Sequence, residues 1–462
     1  MREITCDVAV IGAGTAGLAA HRAALDAGVN SILIEQGPGG TTCARVGCMP
    51  SKLLVTAAEA AHGARGAHRF GIHVERVRID GPAVMQRVRE QRDCFVASVF
   101  EGLEKLPEES RITGRAVFED ATTLVIDDRI RLRFQAAVIA TGSSPSIPEP
   151  LKGLGERLLT TDTLFELEDL PDSIAVLGGG PVGLELAQAL ARLGVGTALF
   201  DPAGALGGIT DTDLAGAARE IFGKDIALHL GAEVEQAEVN GRGVSLRWSG
   251  EDGDSGSASF AKVLVAAGRP PNLSGLGLDR TGLALDDRGV PTFDPRSLVC
   301  EGAPIVIAGD ANAARPVLHE ASRQGRIAGR NAAALARSDR GSIENPRPWV
   351  KLAMVFTEPQ IAAIGEIGGD DGIVGRVDLC DQGRAQVMGR NQGGMRIHAD
   401  RGGRLLGGEM IGPEVEHLAH ILAFAIQDGH TARDLLDRPF YHPTLEEGLQ
   451  TALSDIAQKT AG

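Results

Sequence analysis

The sequence predicts an α/β chain with two dinucleotide-binding βαβ units and a separate α+β domain at its C-terminal end. Two observations carry this. A short apolar strand, a glycine-rich turn, an Ala/Leu-rich helix, a second strand and an acid follow one another from Val8, and the same order recurs from Ile174. After about Ser342 the pattern changes to strands and helices without a glycine fingerprint. The chain has 462 residues, and about 150 residues per domain allows roughly three domains.

The first unit runs from the strand Val8 to Ile11 through Gly12-Ala13-Gly14-Thr15-Ala16-Gly17 into a helix ending near Ala27. Gly28 stops the helix, and a strand from Ser31 to Ile34 ends in Glu35. Glycines permit the tight turn and let backbone approach a pyrophosphate. The helix start then offers free N–H groups and a positive dipole end. The acid at the end of the second strand suits a ribose hydroxyl. The second unit has Ile174 to Leu177, then Gly178-Gly179-Gly180-Pro181-Val182-Gly183, a helix to Leu193, and Thr197 to Phe200 ending in Asp201. The acid follows its first glycine by 23 residues in both copies. Two matched Rossmann-like units indicate two dinucleotide sites.

The second site is expected to take NAD rather than NADP. Asp201 repels a 2′-phosphate, and Pro202 to Gly208 supplies no arginine to neutralise one. The next arginine, Arg219, is expected to lie too far along the following helix. Ser143 to Pro150 reads as a linker and Ser249 to Ser257 as an exposed hairpin tip. Strands at Lys262 to Ala266 and Ile305 to Ala308 run into Gly268-Arg269 and Gly309-Asp310.

Composition narrows the class. The net charge of −15 argues against a general nucleic-acid binder or a polybasic membrane anchor. Aromatic residues at 3% argue against base-stacking platforms. Apolar runs stay below the roughly 18 residues that span a bilayer. The N-terminal Ile4 to Ile11 run is short and wrongly flanked for export. The expectation is a cytoplasmic protein. Six cysteines in a chain this long are not a disulfide scaffold.

Two of them stand close, in Thr42-Cys43-Ala44-Arg45-Val46-Gly47-Cys48-Met49-Pro50-Ser51-Lys52. A five-residue step on an ideal helix rises about 7.5 Å, and a disulfide wants Cα atoms about 4.4–6.8 Å apart. A redox pair here therefore needs a distorted first turn, which the nearby glycines and proline suit. A helix start also favours a thiolate. The residues leave two other readings open. Both cysteines could be small buried hydrophobes, or zinc ligands with His68 and His73, although the interval to His68 is long for a finger.

The other concentration of chemistry is Tyr441-His442-Pro443-Thr444-Leu445-Glu446-Glu447. Pro443 disfavours helical geometry at His442 and is expected to begin a helix. Glu447 would then fold back on one imidazole nitrogen, fixing the tautomer and raising basicity. His-Pro alone is more often a cap or turn.

Together these residues resemble the flavoprotein pyridine nucleotide-disulfide reductase family, and within it most closely the dihydrolipoamide dehydrogenases. The resemblance covers nearly the whole chain. It rests on Gly12/Gly14/Gly17 with Glu35, Thr42-Cys43-x4-Cys48-x-Pro50-Ser51-Lys52, Ala140-Thr141-Gly142, and Gly178/Gly180/Gly183 with Glu185. It continues in Gly268-Arg269-Pro270-x-Asn272, Gly309-Asp310, Thr357-Glu358-Pro359 and His442-Pro443-Thr444-x-x-Glu447. The resemblance implies FAD on the first loop, with Glu35 on its ribose and Asp310 on its ribityl chain. It implies NAD on the second loop. Cys48 would be the thiolate beside the flavin and Cys43 the sulfur exchanging with substrate. Lys52 and Glu185 would pair near the flavin, and His442, backed by Glu447, would be the acid–base. The implied reaction oxidises a dihydrolipoyl dithiol, free or on a lipoyl-carrying protein, and reduces NAD+. No metal is implied. The implied domains are FAD-binding (1–145 and 269–342), NAD-binding (146–268) and a C-terminal dimerisation domain (343–462) that makes a homodimer.

Three positions depart from the family pattern. Pro181 stands where a flavin-shielding tyrosine is common, Phe440 where many lipoamide members have a second histidine, and Gln324 where an acid is common.

Overall fold

The structure, a computed structural model, describes residues 1–241, 243–250, 255–367 and 372–460. The helices that matter for the site are α1 (Thr15–Asp26), α2 (Thr42–Arg45), α3 (Cys48–Gly66), α4 (Gly81–Glu104), α5 (Pro181–Arg192), α6 (Thr212–Phe222), α7 (Leu318–Ala336), α8 (Val415–Asp428) and α9 (Glu446–Lys459). The chain divides into two compact units. One comprises Met1–Pro50, Glu90–Pro145 and Arg269–Pro348; the other comprises Ser51–Arg89, Ser146–Gly268 and Trp349–Gly462.

The first unit is built on a five-stranded parallel sheet, in the order Ile305–Ile307, Ala136–Ile139, Val8–Ile11, Ser31–Glu35, Arg111–Thr113. Val8 lies opposite both Ser31 and Ala136. The central strand is buried on both faces, as its unbroken apolar run requires. Val8 and Val10 pack into one core with α1 and α7 residues, while Ala9 and Ile11 pack into another. Helices α1 and α7 meet through glycine. A Cβ on Gly325 would lie 2.2 Å from Ala16 O, and one on Gly329 would lie 2.1 Å from Ala20 O. Any larger residue there forces the two helices apart. A four-stranded sheet, Arg2–Thr5, Ile130–Arg133, Thr123–Ile126, Ala116–Asp120, completes this unit.

The second unit holds another parallel sheet, in the order Ala227–Leu230, Gly196–Asp201, Ser173–Leu177, Lys262–Val265, Leu158–Leu159. Beside it lies a three-stranded antiparallel sheet of Ala232–Asn240, Gly243–Gly250 and Gly256–Phe260. Residues 251–254 of the expected hairpin tip lie outside the described residues. The C-terminal part is a five-stranded antiparallel sheet, Leu352–Val355, Gln360–Gly365, Leu405–Gly412, Gly394–Ala399, Ile373–Asp378, with α8 and α9 contributing to its core. The α/β architecture with two Rossmann-like sheets and an α+β C-terminal domain is the one the sequence predicts.

Among the described residues no helix is long and apolar enough to cross a membrane. Nor does any group of three or more His, Cys, Asp or Glu among them form a metal site.

Candidate active site

The first glycine loop is shaped by backbone crowding. Gly12 has φ +102°, and a Cβ there would lie 2.4 Å from Ala140 O; a Cβ on Gly17 would lie 1.8 Å from Gly12 O. Gly14 differs, with nothing within 4 Å of the position a Cβ would take. That open space lies over the start of α1, where a pyrophosphate gains from free N–H groups and the helix dipole. Glu35 accepts from Ala13 N and Gly37 N, each at 2.7 Å. The Thr141 hydroxyl beside Gly142 (φ +69°) is buried without a protein partner. Asp310, next to Gly309, accepts the Ser143 hydroxyl at 2.8 Å. Arg269 donates to Ser143 O at 3.0 Å, and Asn272 donates to Thr141 O at 3.1 Å. The segments 141–143, 269–272 and 309–310, far apart in sequence, are thus tied into one wall. A buried hydroxyl that needs a partner and an open glycine cradle fit a dinucleotide such as FAD.

The second loop repeats the design. Gly178 has φ +111°, and its Cβ would lie 2.5 Å from Ala266 O; a Cβ on Gly183 would lie 1.9 Å from Gly178 O. Gly180 again faces open space, and Gly268, with φ +112°, also has nothing within 4 Å. Asp201 Oδ2 accepts from Gly179 N at 2.6 Å, while its Oδ1 is buried with no partner. That second oxygen suits a ribose hydroxyl donor. Arg219 departs from expectation. It lies on α6, but its guanidinium folds back and donates to Gly204 O at 3.4 Å. The long, flexible side chain reaches the loop that follows Asp201.

The cysteine segment is distorted as the spacing demands. Gly39, Gly40 and Thr41 all have positive φ, at +72°, +82° and +59°. The Thr41 hydroxyl accepts from Ala44 N, capping the single-turn α2 that starts at Thr42 and carries Cys43. The helix then breaks at Val46 and Gly47 before α3 begins at Cys48. A Cβ on Gly47 would lie 3.0 Å from Thr42 O and 3.3 Å from Cys43 Cα. The chain therefore folds back on Cys43 immediately before Cys48, and only glycine fits comfortably at the bend. Cys48 occupies the first residue of a 19-residue helix, the end that favours an anion. Cys6 and Cys300 are unsuited to exchange, because burial pushes both thiols up to about 12.

Two side-chain pairs complete the predicted set. Lys52, one turn into α3, donates to both Glu185 oxygens, at 3.0 and 2.7 Å. Glu185 also accepts from Phe356 N at 2.8 Å, and Lys52 Nζ lies 4.5 Å from the Phe356 ring centre. His442 Nδ1 is 2.8 Å from Glu447 Oε1, with the imidazole 80% exposed. The other Glu447 oxygen accepts from Thr444 N at 3.0 Å. The His442 hydrogen bond, then the Thr444 N–H, hold the Glu447 carboxyl below its usual range. The helix here begins at Glu446 and not at Pro443. A turn precedes it because Thr444 donates its hydroxyl to Tyr441 O and its N–H to Glu447, satisfying the backbone locally.

Sequence reasoning missed Ser143, Phe356, Gly47 and Gly179. Gly179 is crowded, since a Cβ there would lie 2.4 Å from Ala205 O. Only Gly47 and Gly179 had a signal, as glycines inside motifs. Ser143 and Phe356 act through partners remote in sequence.

Comparison with known proteins agrees with this geometry. Residues 6–325 match the family described as pyridine nucleotide-disulphide oxidoreductase, and residues 352–453 match its dimerisation domain. The chain is 31% identical to dihydrolipoyl dehydrogenase of Haloferax volcanii, over 96% of this chain and 95% of that one. It is 32% identical to mercuric reductase of Streptomyces lividans, over 98% and 97% of the two chains. Among solved structures, LpdA from Mycobacterium tuberculosis superposes with a TM-score of 0.82 at 25% identity, covering 98% of this chain and 99% of that one. The HOCl-induced flavoprotein disulfide reductase RclA from Escherichia coli shares the fold, with a TM-score of 0.82 at 22% identity over 98% and 99% of the chains. With a family match across two thirds of its length and full-length relatives above 30% identity, the chain belongs to the pyridine nucleotide-disulphide oxidoreductases and is dihydrolipoyl dehydrogenase-like.

Proposed function

We propose that the chain is a dihydrolipoyl dehydrogenase: it oxidises a dihydrolipoyl dithiol and passes two electrons to NAD+, working as a cytoplasmic homodimer. The observation that carries the reading is the exposed His442 imidazole held at Nδ1 by Glu447. This is the acid–base group that a neutral dithiol needs before it can attack a disulfide. Several named relatives are dihydrolipoyl dehydrogenases, which supports the choice of substrate.

The residues act as follows. With Glu447 on Nδ1, the other ring nitrogen, Nε2, accepts a proton from a substrate thiol. In the dimer His442 of the partner subunit would serve Cys43. The substrate thiolate attacks Cys43 Sγ, the Cys43–Cys48 bond breaks, and Cys48 leaves as a thiolate. The second substrate thiol releases its proton to solvent, and its thiolate attacks the first sulfur. The substrate disulfide forms and Cys43 departs, taking its proton from the imidazolium. Two electrons now reside in the Cys43/Cys48 pair. Gly12, Gly14, Gly17, Glu35, Thr141 and Asp310 would hold FAD, which when bound would supply the two-electron relay between that pair and the nicotinamide. The second loop, with Gly178, Gly180, Gly183 and Asp201, would hold NAD. Because substrate oxidation and NAD+ reduction are separate halves, ping-pong kinetics are expected.

The test is steady-state assay of FAD-loaded protein with dihydrolipoamide and NAD+, beside NADH or NADPH with glutathione disulfide, thioredoxin disulfide or mercuric ion. Turnover highest with dihydrolipoamide supports the reading. Turnover confined to another acceptor overturns it.

A further inference from the structure

The His442–Glu447 pair is carried by an exposed turn. Tyr441, His442 and Pro443 all face solvent. The anchors on either side are apolar: Phe440 packs against the core of the C-terminal domain and Leu445 lies within it. Apolar packing is non-directional, so it holds the turn down without fixing where its peptide groups point. The dyad depends on one of those groups. The Thr444 N–H donates to one Glu447 oxygen at 3.0 Å while the other oxygen meets the imidazole at 2.8 Å. A rotated Thr444 releases Glu447, and the imidazole loses its fixed partner.

Gln382 supplies the missing direction. It lies 62 residues earlier in the chain and within the same unit, and it is buried, at 8% exposure. Its Nε2 donates to Thr444 O at 2.7 Å. Its Oε1 accepts from Ala385 N at 2.7 Å, capping the short helix Gly383–Val387. The amide is therefore locked in one orientation. A flip sets oxygen against the Thr444 carbonyl and NH2 against the Ala385 N–H, two unfavourable contacts. The stem runs where Gly448 leaves room, since a Cβ there would lie 3.7 Å from Gln382 Cγ. Gln382 thus sits beside both Thr444 and Gly448, one on each side of Glu447. The segment beneath it is itself fixed. Leu379 is 1% exposed and its N–H donates to Gly393 O at 3.0 Å. Gln386 and Asn391 both donate side-chain N–H to Cys380 O, at 3.0 and 2.7 Å.

We propose that Gln382 is a positioning residue for the acid–base pair: by holding the Thr444 carbonyl it aims the Thr444 N–H at Glu447 and so orients the His442 imidazole. It acts through Thr444 and Glu447 and not on the substrate. The proposal rests on the reading of His442 as the acid–base group.

Two variants separate the tie to Thr444 from the helix cap. Gln382→Met keeps the length and loses both hydrogen bonds. Gln382→Glu keeps an acceptor for Ala385 N and, when ionised, sets an oxygen against Thr444 O. In ping-pong kinetics kcat/KM for each substrate reports its own half-reaction. For FAD-loaded dimers of equal flavin content, kcat/KM for dihydrolipoamide should fall on the order of tenfold in Gln382→Met, part of the 10²–10⁴ that general acid–base catalysis supplies. The value for NAD+ should hold. Protonated, the new acid in Gln382→Glu donates to Thr444 O as glutamine does, and burial favours that neutral form. Its deficit against wild type should be largest in alkaline buffer and shrink as the pH falls. A second measurement needs no substrate. In carboxyl-13C-labelled holoprotein the Glu447 titration should move up in Gln382→Met, because the Thr444 N–H that helps hold it down is released. A titration left at its wild-type position overturns the proposal, as does a loss shared equally by the two half-reactions. If dihydrolipoamide is not turned over but the titration moves, the positioning role stands and the lipoyl reading falls.

Discussion

Lys52 Nζ stands 2.7 Å from a Glu185 carboxylate oxygen, although 133 residues separate the two in sequence. The carboxylate is buried, at 6% exposure, while the lysine is 34% exposed. Lys52→Met removes two hydrogen bonds to Glu185 and leaves it the one from the Phe356 N–H. A buried charge short of a partner costs about 1–3 kcal/mol. Urea unfolding of FAD-loaded protein should show a loss of that order for Lys52→Met and a smaller one for Glu185→Gln, which keeps an acceptor and carries no charge. An unchanged midpoint for Lys52→Met would show that the pair contributes nothing net.

Cys48 opens α3 and Cys43 sits in the short helix before it. If Cys48 is the sulfur beside the flavin, limited anaerobic reduction should produce a long-wavelength thiolate-to-flavin absorption band. Cys48→Ser should abolish the band with FAD still bound, and Cys43→Ser should retain it. Persistence of the band in Cys48→Ser contradicts the assignment.

These motifs were legible in sequence because their constraints are local. Gly12, Gly17, Gly178 and Gly183 have no space for a Cβ, so the chain spells out the turn in glycine. Glu447 follows His442 closely enough for the pair to be read from spacing. Long-range packing was not legible. Ser143 matters because Asp310 and Arg269 meet on it, and Gly325 and Gly329 matter because α7 lies against Ala16 and Ala20 of α1. Arg219 was misplaced for a related reason: its position along α6 gives no hint that the side chain returns to Gly204.

That return sharpens the nucleotide prediction. Asp201 presents a buried, unpartnered oxygen where a ribose would lie, and Arg219 stands nearby as a cation. Losing a carboxylate–phosphate clash and gaining a ribose hydrogen bond contribute on the order of 1–3 kcal/mol each. NAD should therefore exceed NADP by at least about tenfold in kcat/KM. Asp201→Asn should narrow the gap, and Arg219→Gln should widen it. Equal use of both nucleotides by the wild type refutes the selectivity.

Glu447 carries a pH signature. Its carboxyl is held down first by His442 and then by the Thr444 N–H. A carboxyl depressed in the folded state contributes stability above its unfolded value and loses it as pH falls through the folded value. In His442→Ala the Glu447 titration should move up toward the ordinary carboxylate range, as read by carboxyl 13C shifts in labelled protein. Identical titration curves for the two proteins would remove the dyad as the cause.

The last prediction concerns Pro181, the first residue of α5. In the family this position commonly carries a tyrosine that covers the flavin face receiving nicotinamide. A proline ring is shorter and fixed in φ, and it cannot swing over a neighbouring ring. Val182 beside it is 43% exposed. Gly180 before it adds no side chain, with open space where a Cβ would be. An uncovered face admits oxidants as well as nicotinamide. The FAD-loaded protein should therefore consume oxygen or reduce quinones at saturating NADH with no disulfide present. Pro181→Tyr should restore the shield and lower that leak, with FAD content unchanged. Oxygen consumption by the two proteins at equal flavin concentration decides it: a mutant that leaks as fast as wild type shows that the residue at 181 does not govern access to the flavin.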